Sequence, residues 1–252
     1  MRFDVVTLFP DMFEPFLRAG VTRRAYESKS VDVRLWSLRE FTQDAYQRVD
    51  DRPFGGGPGM VMLAQPLSDA VSAIKRDRGD EVPVVLFSPQ GQTLRHAQVT
   101  LWSQSSGAIL ICGRYEGVDQ RFIDALVDVQ ISVGDFVLSG GELPAMLLLD
   151  AVARLQPGVL SDQESHIQDS FNPALDGLLD CAHYTRPEVW RTAKGDLKVP
   201  DVLLSGHHQN IQQFRRHSSL ASTLASRPDL IEVARANGVL SASDEAWLNS
   251  LK

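Results

Sequence analysis

The sequence predicts an α/β domain built on a mainly parallel sheet, followed by a smaller and mostly helical domain. Up to residue 155, short apolar runs of strand length alternate with segments of helical spacing, which is typical of strand–helix–strand units. From residue 176 onward the pattern is mainly helical. We therefore place the first domain at residues 1–160, an interdomain linker at 161–175 and the helical domain at 176–252.

Five apolar runs predict the strands of the first domain, and helical segments connect them. The strands are predicted at residues 2–9, 32–37, 83–87, 108–111 and 127–131. The helices are predicted at residues 10–20, 22–28, 66–78, 93–104, 119–126 and 143–155. Early prolines, a cap at Asp119 and the closing Gly20 mark several of these boundaries. The last helix is strongly apolar, so we expect it to pack against the sheet or a second subunit.

The composition changes after residue 155. Pro157-Gly158, a polar run over residues 161–170 and Asn172-Pro173 predict an irregular connection. Beyond it, helices are predicted at residues 206–219, 228–236 and 243–251, the last beginning with a serine cap and two acids.

Composition limits the classes of function. The formal charge of −7 argues against a protein that coats nucleic acid non-specifically. A local basic region remains between residues 183 and 217, where an anionic partner would dock, although arginine clusters are more often solvated surface.

Cys112 and Cys181 lack metal-ligand spacing and cannot form a disulfide framework, and Cys112 is best explained as a small buried hydrophobe. With no signal peptide and no membrane-spanning run, we expect a cytoplasmic protein without a membrane partner.

Three glycine-punctuated loops follow predicted strands, at residues 88–91, 113–117 and 134–141. Ligands bind at the carboxyl ends of parallel strands, and glycine lets a ligand approach main-chain groups closely. Together the loops predict a pocket lined by backbone, whereas any one of them alone is more simply a turn. The glycine run at 55–59 is not followed by Gly-Lys-Ser/Thr, and G-x-G-x-x-G is absent from the chain, so NTPase and Rossmann interpretations lose their main support.

Two of these segments carry a resemblance to a known family. Residues 112–117 read Cys-Gly-Arg-Tyr-Glu-Gly, and residues 132–144 read Ser-Val-Gly-Asp-Phe-Val-Leu-Ser-Gly-Gly-Glu-Leu-Pro. They resemble the signature segments of TrmD, the bacterial tRNA (guanine-N1)-methyltransferase family of the SPOUT superfamily. Further stretches resemble the same family, at residues 7–12, 49–60, 88–91, 169–171, 178–189 and 202–206. Residues 191–198 depart from it by being longer and more basic than expected.

The resemblance implies a SPOUT-type sheet with a trefoil knot, whose loops hold S-adenosylmethionine. Nothing in composition or periodicity suggests a knot. The residues expected to bind this cofactor are Ser88, Pro89, Gly113, Tyr115, Gly117, Val133, Gly134, Asp135, Phe136, Val137, Leu138, Gly140, Gly141 and Pro144.

The resemblance also assigns the chemistry. It makes Asp169 the base that removes the N1 proton of guanine, Arg154 the electrophile at the neighbouring oxygen, and Glu116 a residue near the methionine end of the cofactor, where it could help to hold Mg²⁺. Seen without the family, Asp169 is one acid of the linker among several. The implied assembly is a homodimer with composite sites that binds the anticodon arm of tRNA through Gly59, Ser170, His183, Arg186 and Arg215.

The leading hypothesis is therefore methyl transfer to N1 of the guanosine at tRNA position 37, immediately 3′ of the anticodon. Two alternatives remain open on the same scaffold. One is a SPOUT ribose 2′-O-methyltransferase, and the other is a non-catalytic RNA- or purine-binding protein.

Overall fold

The computed structural model describes residues 1–161 and 166–251. The chain divides into two compact units, Met1–Ser161 and Asp162–Lys252. Within the described residues, no helix is both long enough and apolar enough to span a bilayer.

The first unit contains seven strands among its described residues. They are β1 (Arg2–Thr7), β2 (Asp32–Ser37), β3 (Asp50–Asp51), β4 (Val61–Met62), β5 (Val84–Thr93), β6 (Gly107–Ile111) and β7 (Val129–Ser132). Five of them form one sheet in the order β2-β1-β6-β5-β7, and every neighbouring pair is parallel. The predicted parallel sheet and its five strands are confirmed. The short strands β3 and β4 pair separately and are antiparallel.

Helices cover both faces of this sheet. They are α1 (Phe13–Arg18), α2 (Arg23–Glu27), α3 (Ala64–Arg78), α4 (His96–Ser103), α5 (Gln120–Leu126) and α6 (Glu142–Ala153). Alternate residues of a strand point to opposite faces, so Val5 and Leu110 pack with α6, whereas Val6 and Ile109 pack with α3 and α5. These two apolar layers hold the carboxyl ends of the strands in fixed positions.

One predicted loop is corrected. Residues 88–91 were expected to leave the end of a strand at residue 87, but β5 continues to Thr93. Phe87 and Gln92 both pair with Ile131, so residues 88–91 form a bulge within the strand. Gly91 lies so close to β7 that a Cβ there would be 2.5 Å from the carbonyl carbon of Gln130. Because the strand is longer, α4 begins at His96 instead of residue 93.

The second unit is mostly helical in its described residues. It contains the hairpin strands β8 (Val189–Thr192) and β9 (Gly195–Lys198), then α7 (Asp201–Leu204), α8 (His208–Ser226), α9 (Pro228–Ala236) and α10 (Ala242–Ser250). A small core joins its helices to the preceding loop through Leu178, Leu220, Ile231, Ala234 and Leu248.

Two predicted helix boundaries in this unit are wrong. Helix α8 was expected to end at residue 219 but continues to Ser226, because Ser219 and Thr223 place their hydroxyls on backbone carbonyls within the fold. The cap of α10 is Ser241 and not Ser243. Its hydroxyl accepts from the Asp244 N–H while the Asp244 carboxylate accepts from the Ser241 N–H, which is a capping box. The hairpin itself was not predicted.

Candidate functional site

A pocket of about 450 Å³ lies beside β5, β6 and β7, where the bulge and two loops meet. Its volume falls within the roughly 300–1,000 Å³ of typical small-ligand sites. The bulge contributes Ser88, the loop after β6 contributes residues 113–118, and the loop after β7 contributes residues 133–134 and 136–141. The pocket therefore lies at the edge of the sheet where open α/β folds bind their ligands.

Most residues expected to bind the cofactor line this pocket together. They are Ser88, Pro89, Gly113, Tyr115, Gly117, Val133, Gly134, Phe136, Val137, Leu138, Gly140, Gly141 and Pro144. Asp135 is not among the lining residues. Glu116, expected to act at the same place, lines the pocket as well.

Close backbone contact joins the two long loops of the pocket. The Gly141 N–H donates to the Gly113 carbonyl at 2.9 Å, and Arg114 forms an antiparallel bridge with Gly140. A Cβ on Gly141 would lie 2.7 Å from the Cα of Cys112, far inside van der Waals contact. Glycine is therefore required at residue 141, because the loop after β7 passes so close to the loop after β6.

A buried carboxylate lies directly behind these loops. Glu142, the first residue of α6, is fully buried, and its Oε1 accepts a hydrogen bond from the Thr7 hydroxyl at 2.8 Å. Its Oε2 lies 2.8 Å from Nε of Arg114, yet neither of these two atoms makes a hydrogen bond. The contact is thus an ion pair without hydrogen-bond alignment, helped by the positive end of the α6 dipole.

Arg114 connects this ion pair to the pocket rim. Its guanidinium donates to the Ser139 carbonyl at 3.1 Å and lies 4.4 Å from the centre of the Phe9 ring. The side chain thereby links the loop after β6 to the loop after β7.

Cys112 lies between β6 and the loop after it. The residue is 1% exposed, which confirms the prediction of a buried cysteine. Burial and the nearby charge of Glu142 raise the pKa of its thiol well above the ordinary value. A neutral, buried thiol serves here as packing and not as a nucleophile.

Tyr115 and Glu116 form the side of the pocket nearest the glycine run at residues 55–59. Burial, together with Asp50, raises the pKa of Tyr115. The Glu116 N–H donates to the Met60 carbonyl at 3.0 Å, and a Cβ on Gly59 would lie 2.5 Å from Cγ of Glu116. Gly59, expected to contact RNA, therefore touches a residue that lines the pocket.

The expected catalytic residues belong to different units. Arg154 caps the carboxyl end of α6 in the first unit, whereas Asp169 lies in the second unit, where its carbonyl accepts from the Asn172 N–H at 3.2 Å. Both side chains are half-buried. Glu116 and Arg154 thus share a unit, and Asp169 does not belong to it.

Two of the residues expected to bind RNA in the second unit, Ser170 and His183, contact Asp180. The Ser170 hydroxyl accepts from the Asp180 N–H at 2.9 Å, and His183 Nε2 lies 2.8 Å from the Asp180 carboxylate. Burial opposes ionisation of Asp180, but its contact with His183 and the hydrogen bond from the Cys181 N–H together prevail and lower its pKa. Arg186 and Arg215 are exposed.

Sequence reasoning missed several members of the site. Arg114, Gln90, Gln120 and Ser139 also line the pocket, and Thr7 and Glu142 support it from behind. The available signal was an acid at the start of an otherwise apolar helix, because a buried carboxylate requires a cationic partner. The fold also brings Asp180, Cys181 and His183 together, with ligand atoms within 4.8 Å of one another, although their sequence spacing is no recognised metal motif.

The fold and site define the class: an α/β protein with a small-ligand pocket built from glycine loops at the ends of parallel strands. The sequence model of the family described as tRNA (Guanine-1)-methyltransferase TrmD matches residues 1–233. The chain belongs to this family, which confirms the resemblance found in its loops.

Curated relatives agree over the whole length. The chain is 64% identical to the tRNA (guanine-N(1)-)-methyltransferase of Albidiferax ferrireducens over 250 residues, which cover 99% of both chains. It is 62% identical to the protein of the same name from Polaromonas over 255 residues, covering 100% of this chain and 97% of the relative. The same name applies to the relative from Leptothrix cholodnii, which is 60% identical with 100% of both chains covered.

Proposed function

We propose that the pocket binds S-adenosylmethionine and that the chain transfers its methyl group to N1 of the guanosine at tRNA position 37, immediately 3′ of the anticodon. The observation that carries the proposal is the backbone-lined pocket formed by the very loops that resemble the family. We place the protein in the cytoplasm, where tRNA is found.

In this proposal, main-chain groups of residues 133–138 and of Gly113 recognise the adenine edge, because glycine-rich backbone offers donors and acceptors at close range. Gly140 and Gly141 let the loop after β7 pack directly against Arg114 and Cys112, and with Pro144 they line the part of the pocket proposed to hold the rest of the ligand. The ligand supplies a methyl group on a positively charged sulfur. Asp135 does not line the pocket, so it is expected to act through the conformation of its loop.

Asp169 is the proposed base and accepts the proton of guanine N1. A carboxylate is ordinarily a weak base for such a proton, so the reaction needs positive charge at O6, which Arg154 supplies. Glu116, on the wall of the pocket, holds the methyl donor in position. Positioning of this kind contributes on the order of 7 kcal/mol or more to catalysis.

A magnesium ion fits this pocket only in part. Glu116 is the one acidic side chain among the described lining residues, and Mg²⁺ commonly uses one or two carboxylates together with water and substrate oxygens. Glu116 would therefore provide a single ligand, with the remaining positions filled by water and substrate.

The active assembly proposed is a homodimer, in which Asp169 of one chain completes the pocket of the other. Support comes from the outer face of α6, where Leu143 and Leu147 are 51% and 49% exposed one helical turn apart. Exposed apolar pairs of this kind are typical of surfaces that become covered by a partner.

Residues 176–252, within the second unit, are the proposed tRNA-binding domain, connected by the proposed linker at 161–175 to the first domain at 1–160. Ser170, His183, Arg186 and Arg215, with Gly59 of the first domain, would contact the anticodon arm. The trefoil knot is proposed on the family resemblance alone.

The reaction is tested by supplying labelled S-adenosylmethionine with a tRNA transcript and mapping the methylated atom. We expect label on N1 of guanosine 37 and none on a transcript with adenosine at that position. Label on a ribose would favour the 2′-O-methyltransferase instead, and binding without any product would favour the non-catalytic alternative.

The pocket assignment has its own test. Gly141→Ala forces a Cβ to within 2.7 Å of the Cys112 backbone, whereas Gly113→Ala meets only ordinary contacts at 3.5 Å. We expect Gly141→Ala to weaken binding of the methyl donor at least roughly tenfold, about 1.4 kcal/mol, with a smaller change for Gly113→Ala. Equal affinities for Gly141→Ala and the unmodified chain would refute the assignment.

A further inference from the structure

The hairpin β8–β9 presents an apolar pair to solvent. Trp190 and Leu197 lie directly opposite each other on the antiparallel strands, so their side chains share one face. They are 62% and 58% exposed. A two-stranded ribbon with an uncovered apolar face is marginally stable alone, which indicates a partner for this face.

Trp190 differs from the other tryptophans of the chain. Of the four, it alone is exposed. Trp36 donates a hydrogen bond to the buried Asp4, and Trp247 stacks on His217 with ring centroids 3.9 Å apart. Trp190 has no ring neighbour among the described residues, so its indole face is available for stacking.

The net charge of the hairpin favours an anionic partner. Arg191, Lys194 and Lys198 are exposed on it, against the single acid Asp196. Arg191 and Lys198 belong to the face opposite Trp190 and Leu197, so Lys194 in the turn is the cation available to a ligand on the apolar face. Lys194 lies at the tip of the turn. The Thr192 hydroxyl fixes this turn, because it accepts a hydrogen bond from the Lys194 N–H and donates one to the Gly195 carbonyl. Protein interfaces are depleted of lysine at their centre, whereas an aromatic residue among cations is the pattern that binds unpaired nucleotides.

We propose that this hairpin is an RNA-docking element: an unpaired tRNA base stacks on Trp190 beside Leu197, and Lys194 contacts the adjacent phosphate. The proposal rests on the proposed function for the identity of the RNA. It adds a contact surface to the expected residues His183 and Arg186, which precede the hairpin in the chain. The hairpin contributes to tRNA affinity and not to the chemical step.

The test uses the full-length protein and a tRNA transcript. Trp190→Ala is expected to raise the tRNA dissociation constant about 5- to 100-fold, the fold-change that corresponds to losing one stacked base. Trp190→Phe keeps an aromatic face and is expected to stay within about threefold of the unmodified chain. Leu204→Ala is a matched control, because Leu204 is also exposed in the second unit but lies on α7.

Two readouts separate this role from a merely structural one. Trp190→Ala should leave the affinity for S-adenosylmethionine and the turnover at saturating tRNA unchanged. Lys194→Ala should reduce the slope of log affinity against log salt by about 0.7, the value for one phosphate contact to a single strand, and Trp190→Ala should leave that slope unchanged.

The outcomes distinguish the two proposals. Unaltered tRNA affinity in Trp190→Ala overturns the docking role and leaves the methyl-transfer proposal intact. A changed oligomeric state with unaltered tRNA affinity identifies the hairpin face as a contact between copies of the chain, which also overturns it. If the unmodified chain binds tRNA without methylating it, a weaker Trp190→Ala complex still supports docking while the proposed reaction fails.

Discussion

Two carboxylates are completely buried in the first unit, and their surroundings differ. Asp4, in the middle of β1, accepts hydrogen bonds from Arg2, Trp36 and Arg78 at 2.6 to 3.1 Å. Glu142, behind the pocket, accepts one hydrogen bond from Thr7 and has an arginine at 2.8 Å that is not aligned to donate.

This difference shows which buried charge serves the fold and which serves the site. The Asp4 cluster links β1, β2 and α3 with its carboxylate oxygens well satisfied, as a stabilising network must be. The Glu142 cluster leaves hydrogen-bonding capacity unused next to a ligand pocket, and natural proteins keep such incompletely satisfied groups mainly at functional sites. We therefore expect Asp4 to affect stability and Glu142 to affect ligand binding.

The strongest test of this comparison is Asp4→Ala. Removing Asp4 takes away the buried ion-pair partner of Arg78, which keeps only the half-exposed Asp80 among the described residues, and we expect the free energy of unfolding to fall by about 3–5 kcal/mol. Denaturant titration measures it. Asp77→Ala is the control, because Asp77 pairs with the same Arg2 from an exposed position, and it should change stability little. Comparable losses in the two variants would contradict the importance assigned to burial.

Glu142→Gln should have a smaller effect on stability and a larger one on the pocket. The amide keeps an acceptor for Thr7 but removes the charge that attracts Arg114, which costs about 1–3 kcal/mol. Because Arg114 links the two pocket loops, we expect affinity for S-adenosylmethionine to fall roughly tenfold. Calorimetric titration gives the affinity and thermal unfolding the stability. If stability fell while affinity held, Glu142 would be a structural residue like Asp4.

Thr7→Val removes the only hydrogen bond that Glu142 accepts among the described residues. Valine has nearly the same shape, so the loss should be about 1 kcal/mol in the free energy of unfolding. The Phe9 N–H also loses its contact with the Thr7 hydroxyl. If Thr7→Val weakens affinity for the methyl donor as Glu142→Gln does, the result supports a role of Glu142 in ligand binding. If Thr7→Val loses more stability than Asp4→Ala, the Glu142 cluster is the one that stabilises the fold.

The smallest effect is expected at a third carboxylate, Asp244 of the second unit. Burial opposes its ionisation, but hydrogen bonds from Arg216 and Ser241 prevail and lower its pKa from 3.8 to about 2. A depressed pKa in the folded state stabilises the protein above the unfolded-state value, and this contribution is lost as the pH falls through the interval from 3.8 to about 2. Acid unfolding followed by circular dichroism should be shallower over this interval in Asp244→Asn. An unchanged profile would show that protonation of Asp244 does not affect the free energy of unfolding.

Much of the fold follows from local patterns. Strands β1 and β6 are buried runs bounded by turns, and helix α9 begins at Pro228 and ends near Gly238, so their positions could be predicted from single segments. The bulge at residues 88–91 could not, because it depends on the register with Ile131 of β7. The hairpin β8–β9 was missed because its short strands have exposed residues on both faces and no apolar alternation.

The site divides in the same way. Glycines at residues 113, 134, 140 and 141 predicted where a backbone pocket would form, and the pocket lies there. The ion pair of Arg114 and Glu142 was missed because its residues come from different elements and meet only when the sheet is complete. Asp169 could not be selected from its spacing at all, since nothing local distinguishes it from other acids of the linker, and only the family resemblance singled it out.

The hydrogen bond between Thr7 and Glu142 joins residues 135 positions apart in the chain. At the usual pace of about 5–20 residues per second during translation, roughly 7–27 s separate the synthesis of these two residues. On a ribosome, β1 is therefore synthesised well before α6, and the contact behind the ligand pocket forms only after α6 has been added. A nascent chain released before Glu142 would contain every strand of the main sheet and still lack a finished cavity.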